Sequence, residues 1–208
     1  MNTRHITWGE ATKLFERRGV PESTWKSLYD GDYVLHYGNA DVSGNFPLNR
    51  GEDHPWDEPD IGYIVDGDLT VSGSVYDIDD DAMALVVLGN LRVSGIHLTC
   101  DSKIVVTGNT TADVMFGEYT DKYLVFHGDL RTTMLALDNE CAPDLVGGTL
   151  AGTMILPSYS DPTEFGATHV EDAAVPITEL LVPEVLTGGR LDSHVLRERL
   201  IAGLPVLS

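Results

Sequence analysis

Aspartate and glutamate side chains are the groups in this sequence whose density points to chemistry. The densest run is Asp77-Ile78-Asp79-Asp80-Asp81, and residues 51–91 contain no lysine or arginine. Aspartates at alternate positions resemble part of a calcium-binding loop, but an EF-hand loop also needs a central glycine and a distal glutamate. Both are missing at the required spacing. The run therefore predicts an acidic surface, with a calcium site as the open alternative.

Other catalytic and cofactor-binding patterns are missing from the sequence. There is no phosphate-binding loop, dinucleotide fingerprint or nucleophile elbow, and the seven histidines are scattered. His54 lies beside several acids, but their spacing does not fix a tetrahedral metal site. Carboxylates about 6.5–9.5 Å apart can hydrolyse glycosides, although a dense set of acids supplies such pairs by chance. We therefore expect a protein without enzyme activity and without a cofactor.

The charge balance restricts the class of partner. The chain has 208 residues, with 13 lysines and arginines against 33 aspartates and glutamates, for a net charge of −20. Such a surface repels nucleic acids and anionic membranes. We therefore expect a basic protein as the partner, and neither a nucleic acid nor a membrane.

A repeated stretch of the chain must position these acids. The segment Gly67-Asp68-Leu69-Thr70-Val71-Ser72-Gly73 returns as Gly89-Asn90-Leu91-Arg92-Val93-Ser94-Gly95. Weaker copies begin at Gly108, Gly128 and Gly148, and an earlier copy begins at Gly38. A fixed period of about 20 residues is typical of solenoids.

Aligning the copies on the lead glycine places apolar residues two before it, two after it and four after it, which is the period of a strand. The asparagine or aspartate after the glycine favours a turn, and the glycine itself predicts a bend with positive φ. Stacked coils give a continuous core. We therefore predict an all-β solenoid, a right-handed parallel β-helix of about five to six coils. An antiparallel meander with similar turns is the alternative.

The Gly-[Asp/Asn]-Leu-x-Val-x-Gly rhythm of residues 33–157 resembles bacterial Gly-Asp-Leu repeat β-helices, of which the bactofilin-like polymer-forming proteins are relatives. The resemblance implies a β-helix and, as in bactofilins, coils that join end to end. Acidic single-domain β-helices of this size also resemble immunity proteins of bacterial toxin systems.

The alignment predicts where the acids gather. Ten residues after each lead glycine stand Asp77, Thr99, Glu118, Asp138 and Ser158. Twelve residues after it stand Asp79, Asp101, Thr120, Glu140 and Ser160. Coils stack about 4.8 Å apart, so a ladder of carboxylates is repulsive. The ladder is either a surface for a basic partner or a loop whose charges spread into water.

An acidic insertion at residues 45–60 interrupts the repeat, with three prolines and five acids. Insertions in a solenoid project from one face and often bind partners. We predict that Trp56 is exposed there. The predicted partner-binding residues are Asp53, Trp56, Asp57, Glu58, Asp77, Asp79, Asp80, Asp81, Asp101, Glu118, Asp138 and Glu140.

Segments outside the repeat flank it on both sides. In residues 1–32, Thr7 and Glu10 form a capping-box pattern, and we predict a helical cap over the N-terminal end of the solenoid. Residues 158–208 are predicted to form a loop and a final helix that begins after Asp192. This helix either caps the C-terminal coil or packs on the flank. Five basic residues of the N-terminal segment form either a solvated helix face or a second binding patch: Arg4, Lys13, Arg17, Arg18 and Lys26.

The two cysteines, Cys100 and Cys141, provide no disulfide framework, and the N-terminus has no apolar leader run. No stretch reaches the roughly 20 apolar residues of a membrane-spanning helix. We therefore expect free thiols in a reducing cytoplasm, and a monomer or a dimer.

These patterns favour a non-enzymatic acidic binding module, an immunity protein that neutralises a basic bacterial toxin by docking over its active site. The alternative is a bactofilin-like structural scaffold or polymer-forming protein. The two functions differ in whether the terminal segments cover the ends of the solenoid.

Overall fold

The computed structural model describes residues 2–78, 83–119 and 121–208 and contains two large sheets. The seven-stranded sheet contains β1 (Thr3–Ile6), β2 (Tyr33–Tyr37), β5 (Gly62–Asp66), β7 (Ala84–Val87), β9 (Lys103–Val106), β11 (Tyr123–Phe126) and β13 (Leu145–Val146). The eight-stranded sheet contains β3 (Ala40–Val42), β4 (Phe46–Pro47), β6 (Leu69–Tyr76), β8 (Leu91–Leu98), β10 (Thr110–Glu118), β12 (Leu130–Asp138), β14 (Thr149–Ile155) and β15 (His169–Asp172).

The chain alternates between the two sheets, and from β2 onward neighbouring strands within each large sheet are parallel. This arrangement is a parallel β-solenoid of about five turns. The strand register confirms the alignment on the lead glycines. Leu69, Leu91, Thr110, Leu130 and Leu150 stand in one row of register partners. Because equivalent residues stack, the apolar positions of successive coils form one continuous interior.

The lead glycines allow the backbones of successive coils to approach closely. The predicted positive φ is wrong for most of them. Gly38 has φ +75°, but Gly67, Gly89, Gly108, Gly128 and Gly148 are not among the glycines of positive φ. Each of these five lies against the glycine of the coil before it. A Cβ atom on Gly128, for example, would stand 2.5 Å from the carbonyl oxygen of Gly108. Glycine is therefore needed because the backbones of successive coils approach closely.

The residue after each lead glycine explains why asparagine or aspartate is common there. Its side-chain oxygen accepts a hydrogen bond from the backbone N–H of the equivalent residue in the next coil. Asn90 N–H donates to Asp68, Asn109 N–H to Asn90, and Asp129 N–H to Asn109, with N···O distances of 2.7, 2.9 and 2.9 Å. A side-chain ladder thus runs along this edge and ties the coils together.

Helix α1 (Trp8–Arg18) begins where the capping-box pattern predicts a helix, and a short helix α2 (Glu22–Trp25) follows it. The Thr7 N–H donates to the Glu10 carboxylate at 3.1 Å, as in a capping box, and Gly19 ends α1 with φ +71°. The helical segment caps the N-terminal end of the solenoid only in part. Its buried residues pack on the outer face of the seven-stranded sheet, and the Tyr29 hydroxyl reaches the carbonyl of Asp101 at 2.7 Å.

The C-terminal segment covers the second flank. It contains α3 (Ile177–Leu180), a 3₁₀ turn (Pro183–Val185), the hairpin β16 (Leu186–Thr187) and β17 (Arg190–Leu191), and α4 (Ser193–Ile201). Asp192 caps α4 by accepting from the Val195 N–H at 3.2 Å, as predicted. Leu196 and Leu200 pack with Phe116 and Met134 on the outer face of the eight-stranded sheet.

Loops close the interior at the two ends of the solenoid. In the insertion, Trp56 packs against the first coil. After the last full coil, a 3₁₀ turn (Pro162–Phe165) places Phe165 against the same interior. Strand β1 also pairs antiparallel with β2 and extends the seven-stranded sheet at its N-terminal edge. One outer face stays bare, where the first halves of β8 and β10 expose Arg92, Ser94 and Asp113.

Candidate protein-binding surface

One corner of the solenoid collects the acidic residues that the sequence analysis singled out. In each coil the chain leaves the eight-stranded sheet and enters the seven-stranded sheet at this corner, because the coils stack in register. We define the acidic corner as residues 48–61, 77–78, 83, 99–102, 118–119, 121–122 and 138–144. It contains every predicted partner-binding residue that the structure describes, which is all of them except Asp79, Asp80 and Asp81.

The sequence of the acidic corner is strongly biased in charge. Its only lysine and arginine are Lys122 and Arg50. Its acids are Glu52, Asp53, Asp57, Glu58, Asp60, Asp77, Asp101, Glu118, Asp121, Asp138, Glu140 and Asp144. Like charges gathered on one edge give a negative potential that attracts basic surfaces.

The insertion contributes exposed acids. The prediction that its tryptophan is exposed is wrong. Asp53, Asp57 and Glu58 lie at the surface. Trp56 is half-buried: its ring stacks on His36 at a centroid distance of 4.8 Å and meets the edge of Phe46 at 5.3 Å. The apolar area of an indole outweighs the acidic character of its neighbours in the sequence. Trp56 therefore closes the first coil and is not a free contact for a partner.

Asp77 is also not at the surface. Its side chain is fully buried, and its Oδ1 accepts hydrogen bonds from the backbone N–H groups of Thr99 and Cys100 at 2.6 and 2.9 Å. A bulge in the pairing of β6 with β8 shifts the register by one residue before this point. Asp77 thus fastens one corner segment to the next, and a partner does not meet its carboxylate.

Part of the predicted carboxylate ladder forms. Glu118 and Asp138 are direct register partners in β10 and β12. Glu118 is only 7% exposed, whereas Asp138 is exposed. Burial raises the pKa of Glu118, Asp138 raises it further, and Arg197 and Lys122 act in the opposite direction. One rung is therefore buried and the other faces water.

Asp101 and Glu140 lie at the surface of the acidic corner, as predicted. Asp79, Asp80, Asp81 and Thr120 lie outside the described residues, and so does most of the possible calcium site. Within the ranges that the structure describes, no group of three or more His, Cys, Asp or Glu side chains is placed to hold a metal ion.

Exposed apolar side chains occur in and beside the acidic corner, and sequence reasoning missed them. Ile78 is 42% exposed, Tyr119 is 55% exposed, and Tyr159 is 65% exposed with its hydroxyl 3.2 Å from the Glu140 backbone nitrogen. Aromatic residues surrounded by polar groups are typical of interaction surfaces. In the sequence, these apolar residues stand among turn-forming residues, outside the positions that the repeat assigns to the interior. That placement indicates exposure.

A cleft opens in the acidic corner between successive coils and α4. Its volume is about 670 Å³. It is lined by Ile78, Thr99, Cys100, Asp101, Tyr119, Asp121 and Arg197. The cleft joins apolar walls to two exposed carboxylates, which suits a cationic group with an apolar stem.

The thiols and the N-terminal basic residues have structural surroundings of their own. Cys100 and Cys141 form no disulfide, and burial raises the pKa of the Cys141 thiol to about 11. Among the N-terminal cations, Arg4 pairs with Glu10 at 2.9 Å and Arg18 with Asp66 at 2.6 Å. These pairs are typical of a solvated helix face beside an acidic body.

A buried histidine beneath α4 makes stability depend on pH. Burial, Arg197 and Lys122 lower the pKa of His97 to about 3, and the ring stacks on Phe116 at 5.2 Å. The folded pKa lies below the unfolded value of about 6.5, so the stability contributed by His97 is present above pH 6.5 and is lost as pH falls toward 3.

We expect the substitution His97→Leu to flatten the acid limb of the stability curve. Between pH 6.5 and 4.5 the free energy of unfolding should fall less steeply than in the wild type, by up to about 1.4 kcal/mol per pH unit. Urea unfolding at pH 6.5, 5.5 and 4.5 measures this slope. His127, whose pKa is also lowered by burial, is retained in both proteins and cancels in the comparison. Parallel slopes for the two proteins would contradict the assignment.

No helix in the described ranges is long and apolar enough to cross a membrane. Comparisons with protein-family models, curated proteins and solved structures find no match.

Proposed function

We propose that this protein is a non-enzymatic acidic binding module that docks a basic protein on its acidic corner. The observation that carries the proposal is that acids distant in sequence gather along one edge, because successive coils place them there in register. Such an edge accelerates the encounter with a basic partner by electrostatic steering.

The construction of the acidic corner supports binding. The described ends of the corner segments continue into paired strands, and the Asp77 carboxylate ties two neighbouring segments together. Backbone that is already hydrogen-bonded loses less conformational entropy when it binds. The exposed side chains of Ile78, Tyr119 and Tyr159 supply apolar contact area that charges alone lack.

The more specific form of the proposal is an immunity protein. A bacterial toxin that acts on nucleic acid carries a basic active site, and an acidic edge of this kind is suited to cover it. In this form the module acts as a monomer or a dimer in the reducing cytoplasm, where cysteines such as Cys100 and Cys141 stay without a disulfide. Its coil is right-handed.

The alternative, a scaffold or polymer built from stacked solenoids, needs open coil ends. The packing of Trp56 and Phe165 against the interior favours the binding module over this alternative. A net charge of −20 also opposes close association of identical chains.

The experiment that tests the proposal is capture of a partner on immobilised protein from a lysate of the native organism, with elution by increasing salt. The expected result is one basic protein that is released by salt and is toxic when expressed alone. It should not be captured by a matched protein in which acids of the corner are reversed. Capture of the same protein by both baits would count against the acidic corner, and filaments or large assemblies without a partner would favour the scaffold.

A further inference from the structure

The cleft of the acidic corner has features of an anchor pocket for one side chain of the partner. Its lining includes the apolar side chains of Ile78 and Tyr119, the carboxylates of Asp101 and Asp121, and the side chain of Thr99. The cleft volume of about 670 Å³ is larger than one long side chain, so the cleft can also hold partner residues next to the side chain that enters.

A buried acceptor lies next to this cleft. Glu118 directly follows Gly117, the register partner of Leu98, and directly precedes Tyr119. Tyr119 lines the cleft, and Glu118 lies behind the lining. Glu118 is 7% exposed, and its Oε2 has no hydrogen-bond partner within the described part of the chain. A buried carboxylate oxygen without a donor is unfavourable, so a cation that enters from the cleft would stabilise it.

The backbone holds the tyrosine ring of the cleft toward solvent. Tyr119 has φ +66°, in the left-handed region that a bulky side chain rarely adopts. The Lys122 ammonium donates hydrogen bonds to the backbone carbonyls of Glu118 and Tyr119 and holds this turn. A strained residue persists where the surrounding structure fixes it, and here the turn presents an exposed aromatic face beside two carboxylates.

We infer that the cleft receives an arginine side chain of the basic partner. The inference rests on the proposed function and adds the chemistry of its anchor. A guanidinium is planar, stacks on an aromatic ring and carries donors for several carboxylates at once. The ammonium of a lysine is a compact, strongly hydrated charge that gains less from the Tyr119 face.

Arg197 of α4 lines the same cleft, and its positive charge restricts where a cation can bind. Its guanidinium has a contact of 2.9 Å with the His194 ring nitrogen. An entering arginine must lie on the side of Asp101 and Asp121, because like charges repel. Neutralising the resident cation by Arg197→Gln should therefore strengthen arginine binding.

The test compares hexaarginine and hexalysine peptides as probes, by calorimetric titration of the full-length protein at low salt. The wild type should bind hexaarginine about tenfold more tightly than hexalysine. Tyr119→Asn removes the ring at a position where asparagine tolerates positive φ, and it should abolish this preference. Tyr37→Asn removes an exposed ring outside the acidic corner and serves as the matched control. Glu118→Gln should weaken hexaarginine binding about tenfold, and thermal unfolding checks that each variant is folded.

The outcomes separate this inference from the proposed function. Equal affinity for the two peptides, or a preference for hexaarginine that survives Tyr119→Asn, overturns the arginine anchor and leaves the acidic corner as a general basic-protein surface. Absence of binding for both peptides overturns the anchor and the proposed function together.

Discussion

The substitution Gly128→Ala should destabilise the solenoid by about 3 kcal/mol. A Cβ atom there would stand 2.4 Å from the Asn109 Oδ1 and 2.5 Å from the Gly108 carbonyl oxygen. Neither atom is the free end of a flexible side chain, because the Asn109 oxygen accepts the Asp129 N–H and the Gly108 oxygen accepts the Gly128 N–H. The coils must separate locally, and both hydrogen bonds weaken.

Urea unfolding and thermal melting measure this effect. A loss of about 3 kcal/mol lowers the melting temperature by roughly 6–12 °C in a domain of this size. The matched control is Gly9→Ala in α1, where a Cβ atom meets nothing within 4 Å. Alanine favours helices, so this control should be neutral or slightly stabilising. Equal stability of the two alanine variants would contradict the close stacking of lead glycines.

Reversal of four exposed acids in the corner should weaken binding of the partner about a hundredfold. The variant combines Asp53→Lys, Asp57→Lys, Asp101→Lys and Glu140→Lys. Each of these side chains is exposed, so the fold should be retained. Like charges placed across an interface cost several kcal/mol, and about 2.8 kcal/mol corresponds to the hundredfold loss. Affinity and association rate, measured by surface plasmon resonance at two salt concentrations, report the change.

A second quadruple variant has the same net charge as the first. It separates the effect of where the reversed charges lie from the effect of net charge. It reverses exposed acids outside the corner: Glu16, Glu164, Glu179 and Glu184. Its affinity should fall much less, because screening shortens the reach of distant charges to about 10 Å at 0.1 M salt. Similar losses for the two variants would show that net charge, and not the acidic corner, governs binding.

The solenoid could be predicted because its signal is redundant. Each coil repeats the same positions, so one alignment on Gly67, Gly89 and Gly128 predicts the strand register, and the pairing confirms it up to the one-residue bulges in the β6–β8 and β12–β14 pairs. The role of the lead glycines could not be predicted from a single coil. A turn with positive φ and a close approach between coils both select glycine, and only the stacked structure separates them.

The composition of strand β7 indicates where the terminal segments pack. Ala84-Leu85-Val86-Val87 in β7 is apolar at every position, and all four residues are buried. A strand that is apolar on both faces needs a cover on its outer side. The helices therefore belong on the flank, and the insertion with Trp56 packs against the first coil.

The candidate site was predictable as a set of acids, but their exposure was not. Periodicity places Asp77, Asp101 and Glu118 at one corner, yet it does not state which carboxylates turn inward. The bulge between β6 and β8 turns Asp77 into an acceptor for the next corner segment. Such a shift of one residue depends on how neighbouring coils pack, so it cannot be predicted from the sequence of one coil alone.

The measurement that we would make first with the captured partner is amide hydrogen exchange of the free and bound protein. Binding at the acidic corner predicts slower exchange in peptides that span residues 99–102 and 138–144. Peptides of the bare face around Arg92, Ser94 and Asp113 should be unchanged. Protection on the bare face, with unaltered exchange at the corner, would contradict the proposed binding surface.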